Sequence, residues 1–130
     1  MESIFGDVIS VYTRAEALAD GVLFDVSSMA KEAGFKFPVA ITAELNEVIN
    51  SIPEQYSYQD REGRFWDVLY MAALHCKRSG GQTVLYKVIM HHEVEATRGK
   101  KVIEELKLKA VIGPGDNMEP VITIMLPYES

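Results

Sequence analysis

Residues 106–127 read LKLKAVIGPGDNMEPVITIMLP, two apolar runs around a Gly-Pro-Gly-Asp-Asn turn, and they constrain the fold more than any other stretch. Leu106, Leu108, Ala110 and Ile112 alternate with Lys107, Lys109 and Val111, the period of a strand with one buried face. The run 121–126 is apolar except for Thr123, so both its faces are expected to be covered. Between the runs, Gly113, Gly115 and Asn117 tolerate positive φ and Pro114 pre-sets one dihedral, which closes a hairpin. A reaction is not written in this stretch, although its glycines and backbone amides invite an anion.

Upstream, short elements dominate. Thr13-Arg14-Ala15-Glu16 is a capping box, which predicts a helix over 14–20 stopped by Gly21. A β-prone run covers 9–12, and 22–26 reads as a small strand that includes Asp25. Ser27 or Ser28 is expected to cap a second helix ending at Gly34, and 37–41 reads extended. Thr42 caps a third helix with Leu45, Val48, Ile49 and Ile52 on one face, ended by Pro53. Residues 54–63, EQYSYQDREG, read as a loop within one domain, because 60 residues of such short elements would make a thin core alone.

The strongest helix is expected over 64–78. Phe65, Val68, Leu69, Ala72, Ala73 and Cys76 form its apolar face, with Trp66 at the edge. Tyr70, Met71 and Leu74 lie on the far side among Asp67, Lys77 and Arg78, so that side is either covered by another layer or offered to a partner. Gly80 and Gly81 end the helix. Residues 83–92, 102–112 and 121–126 then form a sheet, with 93–101 a polar, exposed connection.

The chain has 130 residues and a single cysteine, Cys76, which fits a reducing cytoplasm and excludes an internal disulfide. The start, MESIFGD, has no basic region before an apolar run, so no signal peptide is expected, and no run reaches the ~20 residues of a membrane span. Residues 1–60 carry ten acids against three bases, a balance of −7, while 61–130 carry nine against ten, a balance of +1. The acidic half would repel nucleic acid and attract a basic partner, with Asp20, Asp25, Glu44 and Glu47 as candidate contacts.

Three segments, VISVYTRAEALADGVLFDVSSMAKEAGFKFPVAIT, GRFWDVLYMA and LKAVIGPGDNMEPVITIMLP, together resemble a family of small proteins of unknown function encoded by bacteriophages, plasmids and other mobile elements. The resemblance brings no activity. It implies a setting in which accessory proteins bind host machinery or host defences.

Chemical readings are thinner. His91 and His92 are strand neighbours that point to opposite faces, and His75-Cys76 has no further ligand at i+4, so no metal is expected. Cys76 sits on an apolar helix face, and neither a G-x-S-x-G elbow nor a P-loop is present. At the Gly-Pro-Gly-Asp loop, Asp116 and Glu119 would repel a phosphate. Arg98, Lys100, Lys101, Lys107 and Lys109 would cluster at one end of the sheet, but Glu93, Glu95, Glu104 and Glu105 are interleaved with them. Ten acids in the first half suggest a DNA mimic only if they stood in rows, and the bases dilute that field. Tyr12, Arg14 and the short elements after them resemble the opening of NAD-binding ADP-ribosyltransferase-like folds, with Glu104 or Glu105 in the place of a catalytic carboxylate.

The sequence therefore specifies a single α+β domain over 1–130, a long helix on a C-terminal three-stranded antiparallel sheet with short helices and strands ahead of it. Its first functional reading is a non-enzymatic, cytoplasmic accessory protein of a mobile element that binds a host protein or complex, as a host-defence inhibitor for example. That reading needs no cofactor and places the partner at Tyr70, Met71 and Leu74 and at Asp20, Asp25, Glu44 and Glu47. The alternative is a small NAD- or nucleotide-using enzyme around Tyr12 and Arg14. A homodimer through the helix's far face or the sheet edge is a third reading.

Overall fold

The computed structural model describes residues 12–130. Among the described residues, Thr13 opens the first helix, α1 (Arg14–Ala19), with the expected capping box: its hydroxyl accepts from the Glu16 amide at 3.0 Å while the Glu16 carboxylate accepts from the Thr13 amide at 2.9 Å. Gly21, at φ 76, turns the chain into β1 (Leu23–Asp25). The β-prone run at 9–12 lies, but for Tyr12, outside the described residues.

Helix α2 (Ser27–Ala33) starts one residue earlier than expected, with Val26 rather than a serine at its N-cap position. Ser27 is used differently: its hydroxyl donates to Asp25 at 2.6 Å and accepts from the Val39 amide at 3.0 Å, which ties the helix start to the next strand. Gly34 ends the helix at φ 114, a left-handed conformation that favours glycine. Strand β2 (Val39–Thr42) leads straight into α3 (Ala43–Asn50), whose Leu45 amide donates to the Thr42 hydroxyl.

A single 3-10 turn (Glu54–Tyr56) precedes α4 (Arg61–Ser79). The long helix begins three residues before the expected start because Asp60, accepting from the Glu62 amide, caps it ahead of the apolar period. Gly80 closes it at φ 67.

Strands β3 (Thr83–Ala96), β4 (Gly99–Pro114) and β5 (Pro120–Met125) follow. Three expectations are corrected here. Among the described residues the sheet has five strands in the order β1-β2-β5-β4-β3, not three. It is mixed, since β2 runs parallel to β5 with Val39 opposite Ile122 and Ile41 opposite Ile124, while the other pairs are antiparallel. The connection expected over 93–101 is instead a hairpin, paired from His92–Ile103 to Ala96–Gly99. Its two strands have water on both faces, so the apolar alternation that marks a half-buried strand is missing there.

Where one face is buried, the alternation holds: Leu106, Leu108 and Ala110 are buried, Val88, Tyr86 and Val84 are buried opposite them, and Met90 continues the buried row. In β5, Val121, Ile122, Ile124 and Met125 are all buried, as a strand with neighbours on both sides and layers on both faces requires. One core cluster runs from Ala30 and Val39 through Leu45, Ile49, Val68, Leu69 and Ala72 to Leu108, Ile124 and Leu126. The C-terminal residues fasten to it: the Glu129 carboxylate accepts from the Thr42 hydroxyl and the Leu126 amide, both at 2.8 Å, and its carbonyl accepts from Lys109.

Candidate functional site

Gly34 directs residues 35–37 past the C-terminal half of α4. Phe35 is buried as an anchor, whereas Phe37 is left 46% exposed. Opposite it stand Tyr70, 49% exposed, and the half-buried Leu74. Together with Ala73 and Cys76 these side chains wall a groove of about 440 Å3 whose floor reaches Ile112 and Ile122. Lys36 and Lys77 stand at its rim and are exposed. Trp66 stacks on Tyr70 with centroids 6.0 Å apart. Burial in this wall raises the Cys76 thiol's pKa, so the sulfur behaves as packing rather than as a nucleophile.

Of the three far-side helix residues, the structure brings Tyr70 and Leu74 together and separates Met71. Met71 packs partly against the core and lines a different depression with His75, Leu85 and Tyr86. One turn of helix explains the split, because residues at i and i+4 share a face and a residue at i+1 is turned by about 100°. The acidic candidates are not gathered at the groove. Asp20 accepts from the Tyr12 hydroxyl at 2.7 Å, and Asp25 accepts from the Ser27 amide and hydroxyl. Glu44 and Glu47 flank a shallow depression with Phe24, and Glu44 accepts from Tyr128, whose phenol is pushed up to about 12 by that hydrogen bond.

The region around Arg14 forms a second cleft, of about 350 Å3, with Asp25, Ser27, Asp116 and Glu119 in its lining. Arg14 is committed within the chain. Its guanidinium donates to the Thr123 hydroxyl at 2.7 Å and the Ile122 carbonyl at 2.8 Å, and burial pulls its pKa down against the carboxylates of Asp116, Asp25 and Glu119. Glu105 pairs with Lys87, and Glu104 lies 3.6 Å from His91. Both are on β4 some six or seven residues from Val111, the partner of Thr123, hence roughly 20 Å from Arg14 along the strand. They do not converge on Tyr12 and Arg14.

The hairpin loop spends its polar groups in the same way. The Asp116 carboxylate accepts from the Arg14 and Ala15 amides at 2.8 and 3.0 Å, and Glu119 accepts from the Asn117 amide at 2.9 Å. The loop's own acids thus occupy the donors an anion would need. The bases expected to cluster are spread along β4 and the turn before it: Lys100 stands opposite Glu95 at the hairpin tip, and Lys109 opposite Leu85 is nine residues, about 30 Å, away. Among the described residues no three His, Cys, Asp or Glu side chains are grouped as metal ligands. No helix among them is long and apolar enough to cross a membrane.

The sequence reading missed the one charged side chain that is buried among the described residues. Arg64 is 4% exposed and donates from Nε to the Ile49 carbonyl, from one terminal nitrogen to Gln59 and the His91 carbonyl, and from the other to the Val48 carbonyl. Gln59 bonds His91 Nδ1 at 2.9 Å, and Tyr56 stacks on that ring at 3.7 Å. The signal was present, since Arg64 heads the row Arg64, Val68, Ala72 on the core face. It joins the end of α3, the 3-10 turn, α4 and the irregularity in β3 between Ile89 and His92. Each of its four acceptors is a neutral group of this chain, so the network is scaffold rather than site.

No curated protein and no solved structure matches the chain. Over residues 1–130 it matches a family of unknown function (DUF6573), and it belongs to that family.

Proposed function

We propose that this chain is a non-enzymatic binding protein that holds an apolar, acid-flanked segment of a protein partner in the groove between α4 and residues 33–37. The observation that carries the reading is the groove's composition: exposed Tyr70 and Phe37 beside half-buried Leu74, with Lys36 and Lys77 on the rim. Aromatic anchors in a concave apolar wall are where binding energy concentrates, and rim lysines select for carboxylates on the occupant. Asp20, Asp25, Glu44 and Glu47 do not line this groove, so the reading rests on its wall and its two lysines rather than on the acidic half. The resemblance to proteins of mobile elements supplies the setting: the partner would be a host protein or complex, and inhibition of a host defence is one task such binding performs. Against the enzyme reading, both terminal nitrogens of Arg14 and the hydroxyl of Tyr12 already hold partners within the chain.

Selection from a displayed peptide library tests this directly. Peptides with apolar residues flanked by Asp or Glu should be enriched, and Leu74→Glu should weaken their binding by at least about tenfold. Charge reversal at Lys36 and Lys77 should also weaken it and invert its salt dependence, since salt then screens a repulsion. Enriched peptides that ignore Leu74→Glu would sink the groove as the site. Thermal stabilisation by NAD or a nucleotide, with no peptide enriched, would favour the enzyme instead.

A further inference from the structure

The outer side of β3 is the longest unguarded edge in the sheet. It closes one end of the strand order, and among the described residues no strand pairs with that side. The Gln82 carbonyl accepts from the Ile112 amide at 2.8 Å, which sets the alternation of the ladder. Val84, Tyr86 and Val88 therefore turn their amides and carbonyls toward β4, and Thr83, Leu85, Lys87 and Ile89 turn theirs outward. The side chains of those four stand on the face opposite the buried one, where Leu85 is 67% and Ile89 70% exposed. Natural sheets guard such edges with charges, prolines, bulges or short strands. Here the irregularity comes only after Ile89, and Lys87 is the one charge in the outward set.

The outward run Leu85, Lys87, Ile89 reads the same in both directions: apolar, basic, apolar. A two-fold axis through Lys87 sets Leu85 of one copy opposite Ile89 of the other, twice, with the outward amides and carbonyls of both copies facing one another. Shifting the axis by one residue either way would place Lys87 against an apolar side chain. The facing lysines are compensated, because each has Glu105 at 3.3 Å on its own β4. Lys107, the direct partner of Lys87 on β4, adds a further base on this face, so the centre carries four lysines against the two Glu105 carboxylates and the pairing should tighten as salt is raised. We propose that the chain forms a symmetric dimer by antiparallel pairing of β3 with β3 of a second copy, extending each five-stranded sheet into the other.

Light scattering over a dilution series, with hydrogen exchange on the same samples, tests this independently of the groove. The expected mass is twice the 14.5 kDa of the chain, falling on dilution, with the Leu85, Lys87 and Ile89 amides protected in step with the dimer. Ile89→Lys should return the mass to that of one chain while the circular dichroism spectrum stays that of the folded protein. Should that variant misfold, Lys87→Cys with Cys76→Ser decides: hydrogen-bonded partners lie about 5.5 Å apart at Cα, so mild oxidation should cross-link the copies. Three results would overturn the proposal: a single-chain mass at every concentration, a dimer indifferent to Ile89→Lys, or protected β3 amides at single-chain mass. The last would mean that another segment of the same chain holds the edge.

Discussion

Arg64 sets the terms at the scale of a single residue. A guanidinium at 4% exposure with four protein acceptors, two of them the last-turn carbonyls of α3, is a junction whose removal orphans groups on several elements. Leaving buried acceptors unpaired costs about 1–3 kcal/mol each, less whatever water recovers. Arg64→Met keeps the apolar stem and deletes the fork, and it should lower the unfolding free energy by about 3 kcal/mol in urea denaturation. Arg64→Lys should recover only part, because one ammonium cannot reach both the α3 carbonyls and His91. An unchanged midpoint would mean that solvent already shares these acceptors. Residue roles of this kind were half legible. Thr13, Gly21, Gly34, Thr42 and Gly80 act where their chemistry places them, because capping is local. Arg64 was read only as a helix start, since its acceptors come from residues 48, 49, 59 and 91 and no local pattern announces them.

Among the elements, α1 depends on a residue a hundred positions away. It has six residues, too few to be stable alone, and Asp116 of the β4–β5 turn accepts from its first two amides. This gives the turn a second duty beyond setting register. Asp116→Ala should therefore cost about 1 kcal/mol and speed exchange of the α1 amides, while the β4 and β5 amides stay protected. Uniform loss of protection would show that α1 and the sheet open together. The same distance in sequence explains what the element pattern left out. Helix existence and the β4–β5 hairpin are written in short-range periods, so they were legible. The parallel pairing of β2 with β5 joins residues some 80 positions apart, and a four-residue strand such as Val39–Thr42 carries no mark of its neighbour. The hairpin over 93–101 was hidden for the opposite reason, since charged residues such as Glu95 and Lys100 pair across it without burying a face.

For the whole molecule, the groove and the outer edge of β3 share no lining residue, and both lie beside α4. Tyr70, Leu74 and Phe37 answer to a partner, and Leu85 and Ile89 to a second copy. The two functions should then separate by mutation. Leu74→Glu should abolish peptide capture and keep the dimer mass, while Ile89→Lys should do the reverse, keeping the groove's affinity for a soluble peptide. Their combination is more informative than either. A two-fold dimer carries two grooves, so on a surface coated with peptide the second contact forms at the effective concentration set by the first. The wild-type chain should leave such a surface more slowly than Ile89→Lys by a factor of about 10²–10⁴ if geometry lets both grooves engage, while the two proteins bind the free peptide equally. Equal release from the surface would place the grooves facing apart, beyond the reach of neighbouring sites. A loss of free-peptide affinity in Ile89→Lys would instead couple the edge to the groove through α4, which packs on β3 and walls the groove with the same helix.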